Sequence, residues 1–119
     1  MADLKDNNLG LEYLLELNGE IFPMDNGYWT KIEAKVVNES EHIPHGIKYS
    51  LTLHDRSNER VLGYDNAHGV RTNKTKFKVM KTKWDHKHER NTITSYDYKS
   101  AGKLLEDFWS DVNKIVGDS

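Results

Sequence analysis

The sequence predicts an α+β fold in which a mostly antiparallel sheet of about four to six strands packs against a C-terminal amphipathic helix. Three observations lead to this class. Apolar residues near the C-terminus recur at spacings of three and four, the middle of the chain alternates polar with apolar residues, and turn-forming residues separate the alternating segments. Because 119 residues is a usual length for one domain, we expect residues 1–119 to form a single domain, with residues 1–8 poorly ordered.

Two hairpins are predicted in the first half of the chain. Residues 28–37 alternate with the two-residue period of a half-buried strand, and a Pro-Met-Asp-Asn-Gly turn joins them to residues 19–23. Residues 47–54 alternate again and lead through an Asp-Arg-Ser-Asn turn into residues 59–64. Residues 9–17 fit either a helical turn or an early strand, because their leucines follow neither period well.

The remaining segments before the last helix are less regular. Residues 38–46 contain Pro44, and we expect them to be an exposed connection between the hairpins. Residues 66–76 are rich in Gly, Asn, Thr and Lys, which indicates a loop. Residues 77–83 and 91–96 each fit a short outer strand.

The C-terminal helix has the clearest pattern, and we predict that it covers about residues 101–116. Ser100 is placed to cap its first turn by accepting a hydrogen bond from a backbone N–H. Gly117 is placed to end it in the left-handed conformation. The residues of the apolar face are Ala101, Leu104, Leu105, Phe108, Trp109, Val112, Ile115 and Val116.

Composition excludes several classes of function. The chain has no cysteine, which excludes disulfides, thiolate zinc sites and a cysteine nucleophile, and reducing cytoplasm is the expected location. Glu12 and Glu16 interrupt the N-terminal apolar run, so this run does not resemble a signal peptide. No apolar stretch approaches the ~20 residues that a membrane helix needs, and we expect no membrane association.

Positive charge is concentrated in residues 71–90. This segment has a net charge of +6, whereas the rest of the chain has a net charge of −8. Phosphates pair with such cations, and unstacked RNA bases stack on aromatic rings, so the segment is a candidate for binding nucleic acid. A solvated surface or a contact with an acidic partner is the alternative. The predicted contact residues are Arg71, Lys74, Lys76, Lys78, Lys81, Lys83, Trp84, Lys87 and Arg90.

The first candidate for chemistry is the run Gly63–Gly69, at the end of a predicted strand. It combines a phenol, a carboxylate, an amide and an imidazole, in the kind of strand-to-loop position where sites often lie. The alternative is a local Asx turn with the tyrosine in the core. The four candidate residues are Tyr64, Asp65, Asn66 and His68.

The second candidate is the run Trp84–Arg90. His86 and His88 are two residues apart, so on an extended chain their imidazoles point to the same side, as acid–base catalysis by a pair would require. Asp85 or Asp65 is placed to orient one of them. We favour a centre without metal, although a divalent ion held by Asp65, His68, His86 and His88 and a merely solvated polar stretch are both alternatives.

These blocks resemble the TumE-type toxins, which are small prokaryotic proteins encoded beside a helix-turn-helix antitoxin. The shared blocks, in order, are GYDNAHG at 63–69, WDHKH at 84–88 and LLEDFWSDV at 104–112, and the resemblance covers about residues 19–116. It implies a growth-inhibiting toxin that is held inactive by its antitoxin, with RNA as the target. The positions that match the family's motifs are Tyr64, Asp65, Asn66, His68, Asp85, His86 and His88.

Three functions are weighed from these residues. The first is a ribonuclease-like toxin, in which His86 or His88 takes a proton from a ribose 2′-hydroxyl and the other returns one to the leaving 5′-oxygen, while cations of the basic segment hold the phosphate. The second is a non-catalytic module that binds nucleic acid or a partner protein through residues 71–90. The third is metal-assisted phosphodiester cleavage. The sequence leaves a homodimer open.

Overall fold

A computed structural model describes residues 8–66 and 85–117 of the chain. Within these residues, six antiparallel strands form one sheet in which each strand lies beside its neighbours in sequence, and two helices flank the strands in the chain. The predicted α+β class, with a sheet and a C-terminal helix, is confirmed. The elements are α1 (Asn8–Glu16), β1 (Ile21–Pro23), β2 (Trp29–Val36), β3 (Ile47–His54), β4 (Arg60–Asp65), β5 (His86–Glu89), β6 (Thr92–Ser95) and α2 (Ala101–Gly117).

Both predicted hairpins are present. Strands β1 and β2 pair through a turn in which Asn26 and Gly27 have φ angles of 63° and 82°, as the Asn-Gly signal indicates. A Cβ atom on Gly27 would lie 2.8 Å from the Cβ atom of Arg56 in the neighbouring turn, so the position also needs glycine for space. The second hairpin joins β3 to β4. The ambiguous residues 9–17 are largely helical, since α1 covers most of them.

The sheet has two faces, which differ in their contacts with the helices. Leu51, Tyr64 and Lys87 are direct cross-strand partners on β3, β4 and β5. The Tyr64 ring lies 5.9 Å from the ring of Phe108 in α2, so we call this side the helix face. Asp65 and its partner His86 project to the opposite side, which we call the polar face, because side chains alternate along a strand.

The core lies between the helix face and the two helices. Leu14 of α1 and Phe108 of α2 are fully buried there, and burial of a side chain of this size contributes about 1.5–3 kcal/mol. A Cβ atom on Gly102 would lie only 4.0 Å from the Cα atom of Gly10, so the helices cross closely where both have glycine. Other fully buried members are Ile32, Leu51, Leu53, Leu62, Leu104 and Val112.

Helix α2 begins as predicted and ends differently. The backbone N–H of Lys103 donates to Oγ of Ser100 at 3.0 Å, so Ser100 is the N-terminal cap. The expected left-handed conformation of Gly117 is wrong. Gly117 is the last helical residue, and its φ is not positive, because the helical backbone continues through it.

Several predictions for connecting segments have a mixed outcome. The fit of residues 91–96 to an outer strand is confirmed by β6. Residues 38–46 contain no helix or strand, but Gly46 is buried and His45 is partly buried, so the connection is not exposed throughout. The predicted loop at 66–76 lies outside the described residues apart from its first member, and the strand at 77–83 and the N-terminal residues 1–7 lie wholly outside them. Neither described helix is long and apolar enough to cross a membrane.

An aspartate and two histidines as the candidate functional site

Asp65, His86 and His88 meet on the polar face. Asp65 ends β4 and pairs directly with His86 of β5, and His88 projects to the same side because it is two residues further on. Nε2 of His86 lies 3.0 Å from Oδ1 of Asp65, and Nε2 of His88 lies 3.9 Å from Oδ2. The two imidazole centres are 4.6 Å apart. Pairing of β4 with β5 therefore brings Asp65 to two histidines that are far from it in the sequence.

The members of this cluster differ in their access to solvent. The side chain of His86 is 3% exposed, whereas those of His88 and Asp65 are 15% and 14% exposed. His88 is therefore the imidazole that a ligand on the polar face reaches more readily, and His86 is the more buried of the two.

The surroundings of His88 favour its neutral form. Burial lowers the pKa of His88 below the ordinary value, and the positive charge of Arg60 and the neighbouring His86 lower it further, while the Asp65 carboxylate opposes the shift. A histidine whose pKa lies below 6.5 is mostly neutral at neutral pH. His88 is therefore able to accept a proton there.

A bulge between β3 and β4 changes the direction of Arg60. Leu53 pairs with Leu62, but the next pair is His54 with Arg60, so Val61 is an extra residue on β4. Strict alternation would place Arg60 on the same face as Leu62, which is the helix face. The extra residue turns Arg60 to the polar face instead, as bulges do when they redirect a side chain.

The Arg60 side chain then passes over Gly63, the cross-strand partner of His88. A Cβ atom on Gly63 would lie 3.4 Å from Cδ of Arg60 and 3.5 Å from its Nε and Nη1 atoms. The glycine therefore leaves the space in which the guanidinium lies beside the histidine. Arg60 is exposed.

Tyr64 lies on the other side of the sheet from this cluster. Its hydroxyl donates to Oδ2 of Asp111 in α2 at 2.5 Å, and Nζ of Lys87 lies 2.8 Å from the same oxygen. Burial and the hydrogen bond to Asp111 raise the pKa of Tyr64 well above the ordinary range, so the phenol stays protonated. This group ties α2 to β4 and β5.

Asp85 also lies on the helix face, where it contacts a different histidine. Tyr49 donates its hydroxyl proton to Oδ2 of Asp85 at 2.8 Å, and Nε2 of His45 is 2.9 Å from the same oxygen. Because Nδ1 of His45 accepts the backbone N–H of Ile47 at 3.3 Å, Nε2 carries the proton and donates to Asp85. The His45 ring stacks on Tyr98 with centroids 3.8 Å apart. Asp85 therefore orients His45.

Asn66 is fully buried and bonded to the backbone of β3. Its side-chain oxygen accepts the Tyr49 N–H at 3.0 Å, and its side-chain nitrogen donates to the Ile47 carbonyl at 2.7 Å. These bonds fix the end of β4 directly after Asp65.

The predicted site residues therefore divide into groups. The structure brings Asp65, His86 and His88 together, and it places the side chains of Tyr64, Asn66 and Asp85 away from them. Arg60 was missed, because a bulge leaves no mark that strict alternation could detect. The predicted residues His68, Arg71, Lys74, Lys76, Lys78, Lys81, Lys83 and Trp84 lie outside the described residues, while Lys87 is ion-paired on the helix face and Arg90 occupies the β5–β6 turn with φ of 55°.

The same three residues could hold a divalent ion. One ligand atom from each of Asp65, His86 and His88 lies within 4.8 Å of the other two. Imidazole nitrogens and a carboxylate are usual ligands for zinc and for other transition metals, and a set of three leaves a coordination position for water or substrate. The chemistry that the arrangement offers is therefore either proton transfer or metal-assisted activation.

The fold and this cluster define a small α+β protein with a candidate reactive centre on the sheet face opposite its C-terminal helix. The chain matches the family model described as "Toxin TumE" over residues 11–116, and it belongs to this family. The family description indicates a toxin, consistent with one component of a toxin–antitoxin pair, and it suggests an antitoxin as partner. No curated protein and no solved structure matches the chain.

Proposed function

We propose that this toxin cleaves RNA by acid–base catalysis at Asp65, His86 and His88. The observation that carries the proposal is the contact of one carboxylate with two imidazoles on the polar face, at 3.0 and 3.9 Å. Two imidazoles whose centres are 4.6 Å apart are close enough to act on one phosphodiester.

The reaction needs one base and one acid. His88, the more accessible and mostly neutral imidazole, removes the proton of a ribose 2′-hydroxyl. The 2′-oxygen attacks phosphorus, the bond from phosphorus to the 5′-oxygen breaks, and His86 gives a proton to that leaving oxygen. The products are a 2′,3′-cyclic phosphate and a free 5′-hydroxyl. Asp65 contacts both imidazoles, so it orients them and stabilises the protonated one before and after the step.

The basic segment supports RNA as the substrate. Six of its cations fall within residues 67–84, which connect Asn66 at the end of β4 to Asp85 at the start of β5. Both ends of this stretch therefore adjoin the cluster, next to Asp65 on one side and His86 on the other. Cations held near the reacting phosphate favour binding of RNA and offset the charge that develops on phosphorus oxygens.

The test compares histidine variants for growth arrest on induction and for turnover of RNA by purified protein. Loss of a catalytic acid or base typically costs ~100-fold to 10000-fold in rate, so we expect His86→Gln and His88→Gln each to relieve growth arrest and RNA cleavage. The matched control is His42→Gln, because His42 is exposed and lies in the connection between β2 and β3. Full toxicity in both cluster variants would rule the scheme out, and RNA binding without turnover by the parent protein would instead support a binding module.

Metal-assisted cleavage is the second candidate, because the three ligand atoms lie within 4.8 Å of one another. In that case a bound divalent ion would activate the nucleophile and neutralise charge on the phosphate. Cleavage that is lost in chelator and restored by a single added divalent metal would support this second route. Cleavage that is unchanged in chelator, after dialysis against it, supports the proton-transfer route.

A further inference from the structure

We infer that Arg60 binds the phosphate of the substrate beside His88, which makes it an anion-binding residue of this site. The inference rests on the proposed function, since it assigns a substrate contact to the same cluster. It adds a residue outside the motif blocks and outside the basic segment.

The side chain of Arg60 projects to the polar face. Arg60 pairs with His54 only because Val61 is inserted as the bulge residue, and this pairing sends the arginine to the polar face. Bulges occur more often than average beside active sites, where they redirect side chains. An arginine on the other face would lie against α2 and could not reach the cluster.

The guanidinium of Arg60 occupies the space beside Gly63. An added Cβ atom on Gly63 would already lie 3.4 Å from Cδ and 3.5 Å from Nε and Nη1 of Arg60, so a larger side chain there would displace the guanidinium. Arg60 is exposed, and within residues 8–66 and 85–117 its side chain makes no ion pair. The cation therefore lies at the surface of the site, where its hydrogen-bond donors are able to reach a ligand.

The positive charge of Arg60 acts on the histidines on either side of it, His88 and His54. After burial, Arg60 is the largest cause that lowers the pKa of His88, and it also lowers the pKa of His54. Arg60 pairs with His54, and its guanidinium lies against Gly63, the partner of His88, so the cation lies along the polar face between the end of β3 and the cluster. A negatively charged group docked there would contact Arg60 and His88 together.

The chemistry fits a phosphodiester better than a carboxylate metabolite. A guanidinium presents paired donors that match two phosphate oxygens, and it retains its charge at all physiological pH values. In the proposed reaction, the same donors would stabilise the additional charge on the non-bridging oxygens as the 2′-oxygen attacks. Arg60 would therefore contribute to binding and to turnover.

The experiment uses a single-stranded 2′-deoxy oligonucleotide, which lacks the attacking hydroxyl and so measures binding without cleavage. Hydrogen bonds to charged groups are worth about 1.5–3 kcal/mol, so we expect Arg60→Gln to weaken binding about 10-fold to 100-fold. The slope of log affinity against log salt should fall by about 0.7, as for the loss of one phosphate contact. Arg60→Lys should recover part of the affinity. Arg56→Gln is the matched control, because Arg56 is an exposed arginine of the same hairpin that packs against Gly27.

A second variant moves the cation without removing it. Gly63→Val places a branched side chain where the Arg60 guanidinium lies, so it should weaken binding of the same probe by a similar factor while the net charge is unchanged. Valine is favourable in a strand, and a thermal melt checks that the variant folds. Parental affinity and parental salt slope in Arg60→Gln would overturn the inference, as would no detectable binding of the probe by the parent protein. If the parent binds through Arg60 but does not cleave RNA, the proposed function fails while the binding assignment stands.

Discussion

The hydroxyl of Tyr49 donates a 2.8 Å hydrogen bond to Asp85, the residue that precedes His86. The backbone N–H of Tyr49 donates to Asn66, the residue that follows Asp65, at 3.0 Å. One residue of β3 therefore holds both chain segments that border the cluster. Side-chain alternation explains this arrangement. Asp65 and His86 project to the polar face, so the adjacent residues Asn66 and Asp85 project to the opposite side, where they meet Tyr49.

We expect Tyr49→Phe to lower the free energy of unfolding by about 1–3 kcal/mol, because Asp85 loses the Tyr49 donor and, among the described residues, retains only the hydrogen bond from Nε2 of His45. Urea denaturation measures the loss. Tyr96→Phe is the control, since Tyr96 also donates to an aspartate, Asp107 at 2.7 Å, but is less buried. Equal losses in the two variants would contradict a special role for Tyr49.

Replacing the side-chain amide of Asn66 with a carboxyl group should lower the free energy of unfolding substantially. In Asn66→Asp the donor to the Ile47 carbonyl is lost and an ionisable group is placed in a fully buried position, so we expect a loss of about 2–5 kcal/mol in urea. Asn58→Asp is the matched variant, because the side-chain oxygen of exposed Asn58 accepts a hydrogen bond from Nε1 of Trp29, which a carboxylate also does. A small loss in Asn66→Asp would show that the amide is not needed where it lies.

Substitutions on the polar face should reduce activity, whereas substitutions on the helix face should reduce stability. Asp65→Asn on the polar face removes the negative charge beside both imidazoles, and we expect RNA cleavage to fall about 100-fold or more with the protein folded. Asp111→Asn on the helix face removes the carboxylate that lies 2.8 Å from Nζ of Lys87 and leaves the longer 3.8 Å contact with Glu89, so it should lower the midpoint of thermal unfolding and leave the cleavage rate of the folded protein nearly unchanged. The reverse pattern would mean that the reactive groups lie on the helix face.

Stability should fall in mildly acidic solution, partly through His54. Burial lowers the pKa of His54 in the folded protein, and Arg60 lowers it further. Well above pH 6.5, His54 is neutral in both the folded and the unfolded protein. As the pH falls, His54 becomes protonated in the unfolded protein before it does so in the folded protein, so the free energy of unfolding declines. Urea midpoints at pH 7.5 and 5.5 measure the decline, which should be smaller in His54→Gln. An equal decline in parent and variant would contradict this role.

The features of the fold that the sequence predicted correctly are those that depend on local sequence patterns. Asn26 and Gly27 indicated the first turn, Ser100 the start of α2, and the alternation at 47–54 a strand with one buried side. The spacing of His86 and His88 placed both imidazoles on one side of β5. Each of these signals depends on residues within a few positions of one another, which is the range over which a period or a cap operates.

The partners across the sheet were beyond local patterns. Which carboxylate meets His86 depends on the register of β4 against β5, and residues 67–84 separate these strands in the sequence. Asp85 was an equally good candidate by proximity, but it points to the helix face and meets His45. The direction of Arg60 depends on a single inserted residue, and no propensity distinguishes a bulge at Val61 from regular pairing.

The order of the strands also bears on when the toxin can act during its own synthesis. The carboxylate is on β4, both imidazoles are on β5, and the helix that covers the opposite face comes last in the chain. A nascent polypeptide that is still attached to the ribosome and ends before residue 86 contains Asp65 but neither histidine of the cluster. The activity that we propose for this cluster is therefore acquired late, after most of the chain has been translated, so a neutralising partner has time to be present before the cluster is complete.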